Sequence, residues 1–310
     1  MATKERQKWR RVCFALVLTA VIFRFAGTLT FARPKAPPQE VKATEQTYPT
    51  MYYTLQEKKA LSFFPQDGEY VTVKNRCGAE FQKEELLTRP LDLEPKGQAP
   101  LVLIVHTHAT EAYTMTALNS YEESSAYRTA DRNYNVVRVG KVIADRLNKQ
   151  GIVTLHDTSL NDLPGYNGSY GRMEALICRY LEEYPSIRMV IDVHRDAVSD
   201  GQGGELALRS ELEGQTAAQL LLVMGTDLGG SSHPHWQTNL SLALKLQVLG
   251  EKEAPGLFRK LSLCASRYNQ HLTPYSMLLE VGTAGNTLEE ALISADFFSQ
   301  QLARLILERS

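Results

Sequence analysis

Thiol chemistry is thinly provided for in this chain. Its 310 residues include four cysteines, Cys13, Cys77, Cys178 and Cys264. None forms a CxxC pair, which excludes a zinc-thiolate motif and a dense disulfide framework. None stands in a recognisable nucleophile motif, so a cysteine hydrolase is set aside as well. Cys178 and Cys264 read as buried free thiols in helix-like contexts. A surplus of charge of either sign is also missing: 34 Lys and Arg face 35 Asp and Glu. A nucleic-acid partner normally needs a basic face, so that class is excluded too. Carbohydrate and peptide substrates leave no mark on net charge and stay open. No internal repeat is visible.

One stretch is apolar enough to concern a membrane. Lys4, Arg6, Lys8, Arg10 and Arg11 precede the uncharged run Val12 to Phe23; Arg24 interrupts it, and Phe25 to Ala32 extends it. A signal-peptide core needs about 7–15 apolar residues and a spanning helix about 20. Arg24 can snorkel towards the interface. The stretch therefore reads as an uncleaved anchor, with a cleaved signal as the alternative. The basic residues then stay cytoplasmic and the rest of the chain is exported. Pro34 to Pro49 has the Pro-, Lys- and Glu-rich composition of an extended linker. Residues 51–98, broken by Pro65, Pro90 and Pro95, read as a stalk. The expected organisation is a basic stub and membrane anchor (1–33), a juxtamembrane linker (34–98) and a catalytic domain (99–310).

From Pro100 the pattern is regular. Strands are expected at 101–105, 152–156, 188–193, near 205–209 and 218–225, and at 275–281. Helices are expected from about 135 to 150 and at 173–183, 238–250, 256–264 and 288–308. Such alternation predicts an α/β fold with a mostly parallel sheet and helices on both faces.

Three of the apolar runs stop on residues able to serve a metal ion. LVLIV (101–105) leads into His106, Thr107, His108 and Glu111; MVIDV (189–193) into His194, Arg195 and Asp196; MLL (277–279) into Glu280. Open α/β sheets carry ligands beyond the carboxyl ends of their strands. Catalytic zinc takes imidazole and carboxylate ligands and keeps one position for water. His108, Glu111 and His194 supply such a set, with Glu280 left as general base. His106 competes with His108 on this ground. Glu111 also suits a helix N-cap, and Glu280 a buried ion pair with an arginine. Arg195 and Asp196 read either as a pair orienting His194 or as the polar start of a loop. His233 and His235 read as a substrate-side loop or plain surface and not as ligands, and Tyr166, Tyr170 and Trp236 are candidates for stacking on sugars.

The segments HTHATEAY (106–113), NDLPGYNGSYGR (161–172), IDVHRDA (191–197), NLSLALKL (239–246) and LLEVGTAGNTLEEA (278–291) together resemble the stage II sporulation protein P family. That resemblance implies a membrane-anchored, zinc-dependent N-acetylmuramoyl-L-alanine amidase on a twisted mixed α/β sheet. It would act on peptidoglycan during engulfment, beside stage II sporulation proteins D and M, with attributed endopeptidase activity on cross-links. The family's T-H-x-x-E falls on Thr107, His108 and Glu111, which selects His108 over His106. D-x-H-R-D falls on Asp192, His194, Arg195 and Asp196, and L-E-x-G on Leu279, Glu280 and Gly282. The metal ligands implied are His108, Glu111 and His194, with Glu280 and Arg195 catalytic, Arg195 at the oxyanion. Wider amidases take a ligand glutamate from the first helix, whereas this chain has Asn133-Tyr134-Asn135 there, so the role passes to Glu111. Asn239 is a further substrate-facing candidate. A zinc carboxypeptidase or wall endopeptidase is the nearest rival; it would need Arg195 or Arg209 to clamp a terminal carboxylate. A non-catalytic wall-binding scaffold is the rival from another class.

Overall fold

The computed structural model describes residues 61–308. The expected anchor (1–33) and the first part of the linker lie outside the described residues. Among the described residues no helix is long and apolar enough to cross a membrane.

Strand β1 (Val73–Asn75), helix α1 (Lys83–Thr88), β2 (Val102–Val105), α2 (Val136–Lys149), β3 (Thr154–His156), α3 (Ser169–Glu183) and β4 (Met189–Asp196) follow in order. Then come the hairpin β5 (Arg209–Leu212) and β6 (Gln215–Ala218), β7 (Leu220–Gly225), α4 (Trp236–Glu253), β8 (Leu261–Cys264), β9 (Met277–Thr283) and α5 (Leu288–Leu307). Seven strands form one sheet in the order β1-β8-β7-β9-β4-β2-β3. Every neighbouring pair is parallel except β7 and β9, so the sheet is mixed and mostly parallel.

Local chemistry explains the helix ends. The Asn135 side chain accepts from the Val137 N–H, which fixes the first turn of α2 as an N-cap. Gly151, at φ +81°, stops that helix in a left-handed conformation. Thr287 and Glu290 exchange hydrogen bonds in a capping box that starts α5. Side-chain alternation then sorts β4: Met189, Ile191 and Val193 enter the larger core with residues of α2, α4 and α5, while Val190 joins Leu103, Val105, Met173 and Ile177 on the α3 face. Helices cover both faces, as expected.

Three expectations are corrected. Residues 61–98 are no stalk: β1 pairs with β8 as the edge strand of the main sheet. The C-terminal carbonyls of α1 are taken by α4, where Ser241 Oγ donates to Leu86 O and Lys245 Nζ to Leu87 O. The prolines and charges that read as linker are surface breaks around a buried minority, with Leu86, Leu87 and Leu93 in the core. The expected helix at 256–264 is strand β8, because a short apolar run takes its conformation from its neighbours, and this one lies between β7 and β1. The expected strand near 205–209 starts later and forms a separate hairpin, turned by Glu213 and Gly214 at φ +51° and +77°.

Candidate active site

Asp192 and His194 share the α3 face of β4, two residues apart. β9 runs beside β4 in a register that pairs His194 with Glu280, and a bulge follows between His194 and Asp196. β2 lies on the other side of β4 and delivers His106, Thr107 and His108 just past its end.

The loop after β2 folds back over these strands. Thr107 donates from its backbone N–H to Asp192 Oδ1 (2.8 Å) and from its hydroxyl to Oδ2 (2.6 Å). Glu111 Oε2 lies 3.2 Å from His194 Nδ1 and accepts the Arg195 N–H at 3.3 Å. The His108 ring meets the His194 ring edge-on with centroids 5.4 Å apart. Ser169 Oγ stands 3.4 Å from His108 Nδ1. His108, Glu111, His194 and Asp192 are all buried.

His106 goes elsewhere. Its Nδ1 meets Val193 O at 3.0 Å and its Nε2 meets His156 Nε2 at 2.9 Å, beneath helix α2. Burial and the neighbouring His156 push its pKa down to about 3, so the ring is neutral. Strand alternation cannot relate the two histidines, since β2 ends at Val105. Gly140 of α2 rests on that ring: an added Cβ would come within 2.6 Å of it. Gly140→Ala should therefore destabilise the fold by about 1–3 kcal/mol through overpacking, read by denaturant titration. A variant as stable as the wild type would show that α2 has room to retreat.

The charges are tightly linked. Burial opposes charge on all three groups, yet His194 titrates well above the ordinary histidine because Asp192 and Glu111 flank it. Burial raises Asp192 and Glu111, but the His194 imidazolium outweighs it and holds both carboxyls below their ordinary values. Burial lowers His108. Glu280, partly buried, is pushed up to about 8 by desolvation despite the pull of His194, with Glu111 and Asp196 raising it further.

The donor chemistry fits zinc. Glu111 Oε2 and His194 Nδ1 are 3.2 Å apart, close to the roughly 3.3 Å edge of a tetrahedron with ~2.0 Å bonds. Asp192 Oδ1 lies 3.0 Å from the other ring nitrogen, Nε2, where outer carboxylates commonly orient a ligating histidine. That contact is off hydrogen-bond alignment, and His194 Nε2 and Glu280 Oε2 are both buried without a hydrogen-bond partner. A ready-made cage is not present: among the described residues no group of three or more His, Cys, Asp or Glu side chains is disposed to hold a metal.

Other candidates take different parts. The Arg195 guanidinium donates to Ala112 O (2.9 Å) and Tyr127 O (3.0 Å), pinning the loop after β2 in place of the oxyanion role expected for it. Asp196 pairs with Arg259 and not with Arg195, so Asp192 is the carboxylate beside His194. Arg209 pairs with Glu290, away from these groups. Asn239 is buried, donating to Gln270 O and accepting from Ser276 N, so it braces loops and faces no substrate. His233 is buried beside His271, and His235 stands at the N-cap of α4, ahead of Trp236, which packs on the core. Tyr170 approaches His108 edge-on at 5.6 Å. Tyr166 stacks flat on His108, 4.1 Å between centroids, with the Arg128 guanidinium 5.0 Å from its ring. One face of Tyr166 is thus taken by His108, while the residue as a whole stays 55% exposed.

Known proteins resemble this chain in sequence. The family model for stage II sporulation protein P (SpoIIP) matches residues 28–303. The chain belongs to this family. Stage II sporulation protein P of Bacillus subtilis (strain 168) is 27% identical over 241 residues, covering 72% of this chain. The match takes in 57% of that curated relative's length. Among solved structures, the N-acetylmuramoyl-L-alanine amidase AmiC2 of Nostoc punctiforme overlaps with a TM-score of 0.40 at 12% identity, over 68% of this chain and 97% of that one. The CwlD amidase from Clostridioides difficile, solved in complex with the GerS lipoprotein, overlaps at 0.39 and 10%, over 67% and 95%. These overlaps are too loose to carry an argument about the site of this SpoIIP-family chain.

Proposed function

We propose that this SpoIIP-family chain is a metal-dependent peptidoglycan hydrolase that cleaves the N-acetylmuramoyl-L-alanine amide bond. The observation that carries the reading is the convergence of His108, Glu111, His194 and Glu280 on one strand-end cluster, with His194 and Glu280 in register across β4 and β9. Zinc is the proposed ion, held by His108, Glu111 and His194. When bound, it supplies Lewis acidity to the scissile carbonyl and to the attacking water. Asp192 orients the His194 ring. Glu280 takes the proton from water and returns it to the leaving alanine nitrogen. We further propose residues 1–33 as a single membrane anchor with the remainder extracytoplasmic, and stage II sporulation proteins D and M as partners.

The test is digestion of purified cell wall with and without chelator, the products identified by mass spectrometry. Chelation should abolish release, and zinc should restore it. The new ends should be muramic acid lactyl groups and free L-alanine amines. Cut cross-links would favour the endopeptidase. Release untouched by chelator would remove the metal from the mechanism.

A further inference from the structure

Arg128 has no part in that chemistry, yet its guanidinium touches every element that holds the candidate ligands from the β2 side. Nη1 donates to Asp162 Oδ2 and to Thr110 Oγ1, each at 3.1 Å. Nη2 lies 3.5 Å from Glu111 Oε1. Its Cζ lies over the Tyr166 ring, 5.0 Å from the centroid, and that ring stacks on His108 with the planes 7° apart. We propose that Arg128 is a positioning residue: one guanidinium holds Glu111 directly and His108 through the intervening Tyr166 ring, so that both keep their places against His194.

The geometry needs this side chain in particular. Glu111 has its two oxygens divided, Oε2 towards His194 and the Arg195 N–H, and Oε1 towards Arg128. A carboxylate held at both oxygens cannot rotate. Tyr166 is itself 55% exposed, and packing alone would not hold it on His108. A guanidinium offers in-plane donors for Glu111, Asp162 and Thr110 and a face for the ring, which a lysine ammonium cannot reproduce. The backbone around Arg128 is fixed independently. Residues 111 and 128 form an antiparallel bridge. The preceding Tyr127 is held at φ +54°, its carbonyl accepting from Ala112 N–H and Arg195 Nη2. A bulky residue in the left-handed region persists only where its surroundings over-determine it, and such sites cluster where geometry matters for function. The salt bridge to Asp162, 3.1 Å long and with that carboxylate buried, anchors the 157–168 loop to the same guanidinium.

The catalytic consequence rests on the hydrolytic reading above; the geometric consequence does not. Arg128→Lys and Tyr166→Leu are made in the full chain. Zinc affinity, measured by competition with a chelator, should fall about 10–100-fold in Arg128→Lys, the range seen on loss of groups that orient ligands. Turnover should fall with it while KM for soluble wall fragments stays within about threefold, since no substrate contact is removed. In parallel, chelator-treated protein is labelled with diethyl pyrocarbonate and His108 is followed by peptide mass spectrometry. Labelling of His108 should speed up severalfold in both variants, with the partly exposed His235 as the unchanged internal control. Unchanged His108 labelling overturns the proposal whatever the metal does. Unchanged chelator competition in a protein that does take up zinc overturns it too. Wild-type protein that binds no zinc would sink the hydrolytic reading, leaving the labelling to decide on Arg128. Should Arg128→Lys fail to fold, the same outcomes are read from Tyr166→Leu.

Discussion

The Glu280→Gln variant is expected to fold, to take up zinc, and to lose roughly 10²–10⁴-fold in wall-fragment release. The amide has the size of the carboxyl and sits in the same register beside His194, but it cannot exchange a proton with water and an amine. A second readout follows from the same group. In the metal-free protein burial pushes Glu280 up to about 8 from an ordinary 4.5. The native state therefore keeps a proton that the unfolded chain has already released across that window. Its contribution to stability is complete below about 4.5 and is lost as pH rises through about 8. Chelator-treated wild type should lose stability between pH 5 and 8, by at most about 1.4 kcal/mol per pH unit from this one group. Glu280→Gln should show a flatter profile in the same denaturant titrations. Near wild-type release, or a wild-type pH slope, would contradict the proton-carrier role.

Much of this site is legible in the sequence because it hangs on strands. Apolar runs that stop on His, Arg or Glu carry position and direction together, and parallel pairing brings their ends to one edge. His194 and Glu280 are within reach of that logic, and they are paired across β4 and β9. Asp192 is visible as a lone carboxylate in an apolar strand, but its partner is not: period two would put both it and Asp196 on the face of His194, and only the bulge after His194, which the sequence does not show, separates Asp196 from that pair. Arg128, Asp162 and Tyr166 carry no such signal, because the 109–132 and 157–168 segments have no periodicity from which a fold-back can be deduced. The same limit hides the role of residues 61–98. A three-residue edge strand such as β1 is too short to show a pattern, and it exists because β8 offers it a free edge. Leu261–Cys264 misleads for a related reason, since four residues of apolar character suit helix and strand alike.

Asp192→Ala should be the most destabilising of the single changes in the site. Its carboxylate accepts two hydrogen bonds from Thr107 and stands 3.0 Å from His194 Nε2, all of it buried. Removing it leaves two donors and one side of an imidazolium without compensation, a loss of about 3–5 kcal/mol where a buried pair is broken. Asp192→Asn is not a mild substitute. Its Oδ1 can accept the Thr107 N–H and its NH2 can donate to the rotated Thr107 hydroxyl, but the negative charge beside His194 is gone. The pH dependence of the metal-free protein has a definite sign. Asp192 is depressed, so its contribution is present above the ordinary 3.8 and is lost as pH falls through its lowered value. His194 is raised, so its contribution is complete below the ordinary 6.5 and is lost only as pH climbs through its raised value. The gap between wild type and Asp192→Ala should therefore be widest near pH 5–6 and should close on strong acidification. Denaturant titration of chelator-treated protein at several pH values measures it. A gap below about 1 kcal/mol at pH 5–6 would mean that His194 is neutral in the native state, and the charge network built on its protonation would have to be abandoned.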